Sequence, residues 1–177
     1  SKLKIQTAGV VAILTILASG MAVAKEGHNN NGEIGFKGDP TNVSRTVNVT
    51  MFDAYYEPEK LSFKEGQTVR FIVTNKGETV HEFNIGTAEM HVAHQSEMAM
   101  MMDHGVLEVD RINREAAEAM QASMGHGMHE ESNSILLEPG QTAELVWTFP
   151  EHAKLEFACN VPGHYDAGMV GEIDLTH

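Results

Sequence analysis

The chain has 177 residues, with 12 Lys and Arg against 25 Asp and Glu, a net charge of −13 with His neutral. So acidic a chain lacks the basic patch that nucleic acid or anionic lipid requires, and its length suits one domain. A single cysteine excludes a disulfide scaffold, whereas 11 Met and 10 His are unusual and point toward soft metals.

Residues 1–24 read as a secretory signal. Lys2 and Lys4 form its basic start, Ala8 to Ala18 its apolar stretch, and Ala22-Val23-Ala24 a small-x-small cleavage site. The competing reading is an uncleaved membrane anchor, since Ile5 to Val23 carries no charge and is about long enough to span a bilayer. The short central apolar run favours cleavage, which leaves no membrane attachment. It also takes the 12 basic residues to 10 against 25 acidic ones, a net charge near −15. Export implies an oxidising compartment, the periplasm of a Gram-negative source. Residues 25–42 (KEGHNNNGEIGFKGDPTN) are Gly- and Asn-rich without an apolar period and read as a flexible leader, in which His28 is a solvated side chain.

From residue 43 the grammar is that of strands. Val47, Val49 and Met51 alternate with Thr46, Asn48 and Thr50. Leu61 to Phe63, Val69 to Val73 and Val80 to Ile85 follow, with turns at Glu65-Gly66 and Asn75-Lys76-Gly77 between them. Strands return after residue 133, at Ile135 to Leu137, Ala143 to Phe149, Leu155 to Cys159 and Met169 to Leu175. Short strands with Gly and Pro turns predict an all-β antiparallel sandwich or barrel over residues 43–177. Trp147 is expected in its core, His152 follows Pro150-Glu151 as a solvated turn residue, and His177 is terminal.

Residues 87–132 interrupt that pattern as an insertion with 8 of the 11 Met and 5 of the 10 His. Glu108 to Met124 (EVDRINREAAEAMQASM) has neither Pro nor Gly and predicts a helix, and residues 88–103 predict another.

The single cysteine lies in FACNVPGHYDAGMVGEI, where Cys159, His164 and Met169 recur at five-residue intervals between two strands. Pro162-Gly163 is a turn able to swing His164 back toward the sulfur of Cys159. Two His, one Cys and a weak axial Met make the donor set of a type 1 (blue) copper centre, which moves one electron. His81, in the strand directly after the Thr74 to Gly77 turn, is the best candidate for the second His. The competing reading of a lone Cys is a buried hydrophobe.

That run resembles the copper loop of the cupredoxins, and its spacing is most similar to that of rusticyanin and the auracyanins. The segment FKEGQTVRFIVTNKGETVHEFNIG resembles the strands that lead into the family's first His ligand, which supports His81. The resemblance spans about residues 43–86 and 134–175 and implies a Greek-key β-sandwich with copper at one end. One departure stands beside the first ligand. Glu82 occupies the place where azurin and plastocyanin have an Asn that ties the ligand loops together. The His-Glu-Phe sequence and the Met/His-rich insertion are together similar to the periplasmic copper-tolerance cupredoxins of the CopI family.

In the insertion, His91, His94, Met98 and Met101 form an i, i+3, i+7, i+10 stripe on one helical face. Thioethers favour Cu(I), so Met90, His91, His94, Met98, Met101, His104, Met124, His126, Met128 and His129 are candidate donors of a second, Cu(I) site. The plainer reading is that the Met stripes pack the helices. The function implied is an exported copper-binding protein that confers tolerance by sequestering copper ions. The alternatives are a soluble electron carrier with a redox or copper-transfer partner, and a cuprous oxidase. Because the insertion lies between complete sets of strands, the frame is expected to tolerate its replacement by a short linker.

Overall fold

Alternating apolar residues set the register of the frame. In the computed structural model, which describes residues 31–125, 127–128 and 130–177, Val47, Val49 and Met51 point inward from one strand. The strands are β1 (Phe36–Lys37), β2 (Arg45–Phe52), β3 (Tyr55–Glu57), β4 (Lys60–Lys64), β5 (Thr68–Asn75), β6 (His81–Gly86), β7 (Ser134–Leu137), β8 (Thr142–Thr148), β9 (Leu155–Ala158) and β10 (Val170–Thr176). They form a β-sandwich of two five-stranded sheets, ordered β1-β8-β5-β2-β3 and β4-β10-β9-β6-β7. Two pairings are parallel, β2 with β5 and β4 with β10, where alternation alone suggests an antiparallel frame. A parallel pair needs a crossover. The chain supplies one between β2 and β5 by sending β4 to the opposite sheet.

Between the sheets lies an aromatic core. The Phe71 ring centroid is 5.2 Å from that of Phe83 and 5.6 Å from that of Phe63, and Tyr56 meets Phe157 edge-on at 5.0 Å. Each such buried ring contributes about 1.5–3 kcal/mol by leaving water. Trp147 is fully buried, as its strand position implies, and its indole N–H donates to the carbonyl of Ile34 at 2.8 Å.

That bond places the start of the frame earlier than the leader reading of 25–42 allows. Ile34 closes a helical turn, α1 (Asn31–Ile34), and is fully buried, while Phe36 and Lys37 pair with Thr148 and Trp147. The cause is long-range: an indole on β8 captures a segment that has no apolar period of its own. The signal segment 1–24 and leader residues 25–30 lie outside the described residues. No helix among the described residues is long and apolar enough to cross a membrane.

The insertion is partly helical. Helix α2 (Ala88–Asp103) starts at Thr87, whose hydroxyl accepts from the Met90 N–H at 3.2 Å. Helix α3 (Arg114–Met124) is shorter than the Glu108 to Met124 expected, because the Asn113 side chain caps it by accepting from Ala116 N–H at 3.0 Å. Ahead of that cap, Leu107 and Ile112 form a β-bridge whose apolar side chains are buried. Helix propensity therefore yields to a tertiary anchor.

The insertion also hides one face of β6. All six residues from His81 to Gly86 are buried. Phe83 and Ile85 face the aromatic core, and the alternating residues Glu82 and Asn84 are 2% and 4% exposed. Backbone bonds fasten the insertion beside this strand, from Val80 N–H, just before β6, to the Val109 carbonyl, and from Ile85 N–H to the carbonyl of Asn133, just past the insertion, each 2.9 Å.

Candidate metal centre

Three elements meet at one end of the sandwich. His81 opens β6, Cys159 directly follows β9, and His164 sits in the loop to β10. The Val161-Pro162-Gly163-His164 turn closes with His164 N–H donating to the Val161 carbonyl at 2.9 Å. Gly163 has φ +85°, as the third residue of a type II turn requires. Met169 is fully buried, and its backbone is pinned on both sides: its N–H donates to the His164 carbonyl at 3.0 Å, and its carbonyl accepts from Cys159 N–H at 3.1 Å.

The donor atoms converge. Cys159 Sγ is 3.3 Å from His164 Nδ1 and 4.0 Å from His81 Nδ1, and the two Nδ1 atoms are 3.2 Å apart. The Glu82 backbone N–H donates to Cys159 Sγ at 3.3 Å. His81 and Cys159 are fully buried and His164 is half-buried, so solvent reaches the cluster along the His164 edge. Burial pushes the Cys159 thiol up to about 12, against the pull of the backbone N–H groups of Glu82 and Val161. Burial likewise holds both imidazoles below their usual range, His81 despite Asp53 beside it. A neutral imidazole pair and a sulfur that ionises only for a strong partner suit a soft or borderline metal ion.

Asp53, in the β2–β3 turn, is a functional residue that sequence reasoning missed. Its Oδ1 accepts from His81 Nε2 at 2.8 Å, which turns Nδ1 toward the sulfur. Burial opposes the charge of Asp53, but His81 and the backbone N–H groups of Glu78 and Thr79 outweigh it and hold the carboxyl below its usual range. Gly77 makes room for the pair: a Cβ there would lie 2.7 Å from His81 Nε2, and closer still to Asp53 Oδ1. Gly77→Ala is therefore expected to push Asp53 off His81, costing about 1–3 kcal/mol in stability. A metal-loaded Gly77→Ala protein with an unaltered visible spectrum would show that Asp53 does not orient the ligand.

Glu82 and Asn160 form a second ring around the donors. Glu82 Oε1 accepts from the Asn160 backbone N–H and side-chain amide at 3.3 and 3.1 Å, and its Oε2 from Ser134 at 3.0 Å and His94 Nε2 at 2.9 Å. Asn160 also meets His91 Nδ1 at 3.0 Å. Glu82, standing where azurin and plastocyanin have Asn, thus ties β6 to the Cys159 loop with a carboxylate and adds a tie to the insertion. The insertion is thus hydrogen-bonded, through His94 and His91, to the ring of side chains around the donor cluster. Burial disfavours a charge on His94, but Glu82 and then Glu97 outweigh it and raise its pKa to about 9.

The insertion's own donors divide. Met98, Met100, Met101 and Met128 line a cleft of about 860 Å³ together with His94 and Glu97. Met98 and Met101 are buried there, and His94 is engaged at both nitrogens, by Glu82 and Glu97. His91 is buried against Asn160, and half-buried Met90 packs on the core. His104, at the C-cap of α2, and Met124 are exposed. His126 and His129 lie outside the described residues.

A Cupredoxin-like domain model matches residues 11–102. The Copper-resistant cuproprotein CopI of Pseudomonas aeruginosa is 40% identical over 173 residues, 92% of each chain. That of Rubrivivax gelatinosus is 33% identical over 82% of this chain and 75% of its own. Reduced auracyanin from Roseiflexus castenholzii superposes with a TM-score of 0.53 at 18% identity, covering 76% of this chain and 99% of its own, which shows a shared fold.

Proposed function

The chain belongs to the cupredoxin family, among the copper-resistant cuproproteins CopI, and from that premise we propose that it holds copper in the periplasm and protects the cell from it. His81, Cys159 and His164 supply the strong ligands of one type 1 centre, and Met169 the weak axial one. The convergence of Cys159 Sγ with the Nδ1 atoms of His81 and His164 carries this reading. Bound copper supplies a one-electron couple there. The protein's residues do the rest: Asp53 fixes the His81 ring, the Glu82 N–H steadies the sulfur, and burial excludes water from all but the His164 edge. A redox partner or a copper-transfer protein would approach that edge.

The insertion takes up Cu(I). Four methionines lining one cleft support this, because thioethers favour the reduced ion while lacking the thiolate that gives colour. An anaerobic Cu(I) titration tests it. Replacing residues 88–132 by a short linker is expected to lower the Cu(I) equivalents and the copper tolerance of cells. A visible band from the Cys159 site should persist, displaced in energy because Glu82 and Asn160 lose His94 and His91. Undiminished Cu(I) uptake and tolerance would reduce the insertion to packing and favour an electron carrier.

A further inference from the structure

At the opposite end of the sandwich, two histidines that the sequence leaves as solvated and terminal converge on one carboxylate. Glu65 sits in the β4–β5 turn, His152 in the β8–β9 loop and His177 just beyond β10. The type 1 donors lie where β9 ends and β10 begins, so the two groups are separated by the length of a strand, roughly 25 Å for eight residues. We propose that Glu65, His152 and His177 form a second divalent-metal site, a Cu(II) site without intense visible absorption and independent of the type 1 centre.

His177 Nδ1 lies 2.9 Å from Glu65 Oε2, and His152 Nδ1 lies 3.5 Å from Glu65 Oε1. The two imidazole rings are 5.3 Å apart, and the three ligand atoms fall within 4.8 Å of one another. The frame builds this arrangement. The Glu65 turn is fixed by Glu65 N–H to the Thr176 carbonyl at 2.8 Å and Gly66 N–H to the Phe149 carbonyl at 3.1 Å, which leaves the Glu65 side chain only 13% exposed. His152 takes a left-handed backbone, φ +51°, and from it donates its own N–H to Glu65 Oε1 at 3.0 Å. A left-handed non-glycine residue is held there by its surroundings, here by the carboxylate it faces.

Two imidazoles and a carboxylate suit borderline divalent ions, among which Cu(II) binds most strongly. The three-residue set leaves the ion's other positions open to water, and with no thiolate it contributes no intense colour. The site would give the protein an oxidised-copper store apart from the centre that cycles. It rests on none of the type 1 residues, so the two assignments fail separately.

The full-length protein, titrated with Cu(II) against a competing chelator and followed by electron paramagnetic resonance, tests the proposal. His152→Gln/His177→Gln is expected to lose one Cu(II) equivalent and one tetragonal resonance component while keeping the visible band, which also reports that the sandwich remains folded. Glu65→Gln should weaken that equivalent at least tenfold without removing it. If the double variant binds as many Cu(II) ions as the parent with the same resonance components, the three residues are a hydrogen-bonded surface group only and the proposal is wrong.

Discussion

In Cys159→Ser, the visible absorption of the Cu(II)-loaded protein should vanish while the sandwich stays folded. Cys159 is fully buried, and its sulfur is the sole thiolate source in the chain. The intense visible transition of a type 1 centre is charge transfer from that thiolate, so a hydroxyl abolishes it outright. The Glu82 N–H that donates to Sγ at 3.3 Å can donate to the serine oxygen instead. The fold should therefore lose only about 1–2 kcal/mol, comparable to one altered buried hydrogen bond. Far-ultraviolet circular dichroism and chemical denaturation check the second half. A coloured Cys159→Ser protein would place the chromophore elsewhere.

A second large effect is expected at His94, 18% exposed at its side chain and paired with a Glu82 side chain only 3% exposed. His94→Ala leaves a buried carboxylate without its counter-charge, at a cost of about 3 kcal/mol or more. Glu82→Gln in the same chain should recover much of the loss, because a neutral amide needs no counter-charge, and a merely packing role for His94 would give no such rescue. The pair also sets a pH dependence. The His94 pKa is raised to about 9 from 6.5, so its contribution is complete below about 6.5 and is lost as pH rises through about 9. Stability should fall between those values in the parent and stay flat in Glu82→Gln/His94→Ala. Excising residues 88–132 is gentler on Glu82 than His94→Ala, since it returns the carboxylate to water instead of stranding it.

The meeting of Cys159, His164 and Met169 in one loop was legible because its information is local. Cys159, His164 and Met169 share one loop, and a Pro-Gly turn between them states how the chain doubles back. His81 was legible from strand order. The frame was legible from alternation, apart from its two parallel pairings and its early start at Ile34, both set by contacts distant in sequence. Asp53 carried no signal, because what it does depends on a Gly77 that leaves space across a separate turn. The alternation of β6 did not mark Glu82 for burial, which comes with the covering helix α2 and its His94. Likewise His152 and His177 were unremarkable until three loop ends met.

The central claim, that His81, Cys159, His164 and Met169 make a type 1 copper centre in a copper-resistance protein, is tested most directly by X-ray absorption at the copper edge. The measurement is made on protein loaded with one equivalent of Cu(II). The expected first shell holds one short copper–sulfur scatterer and two imidazole nitrogens, with the sulfur scatterer absent from Cys159→Ser and one imidazole absent from His81→Gly. A first shell of nitrogen and oxygen alone, unchanged in both variants, would contradict the assignment.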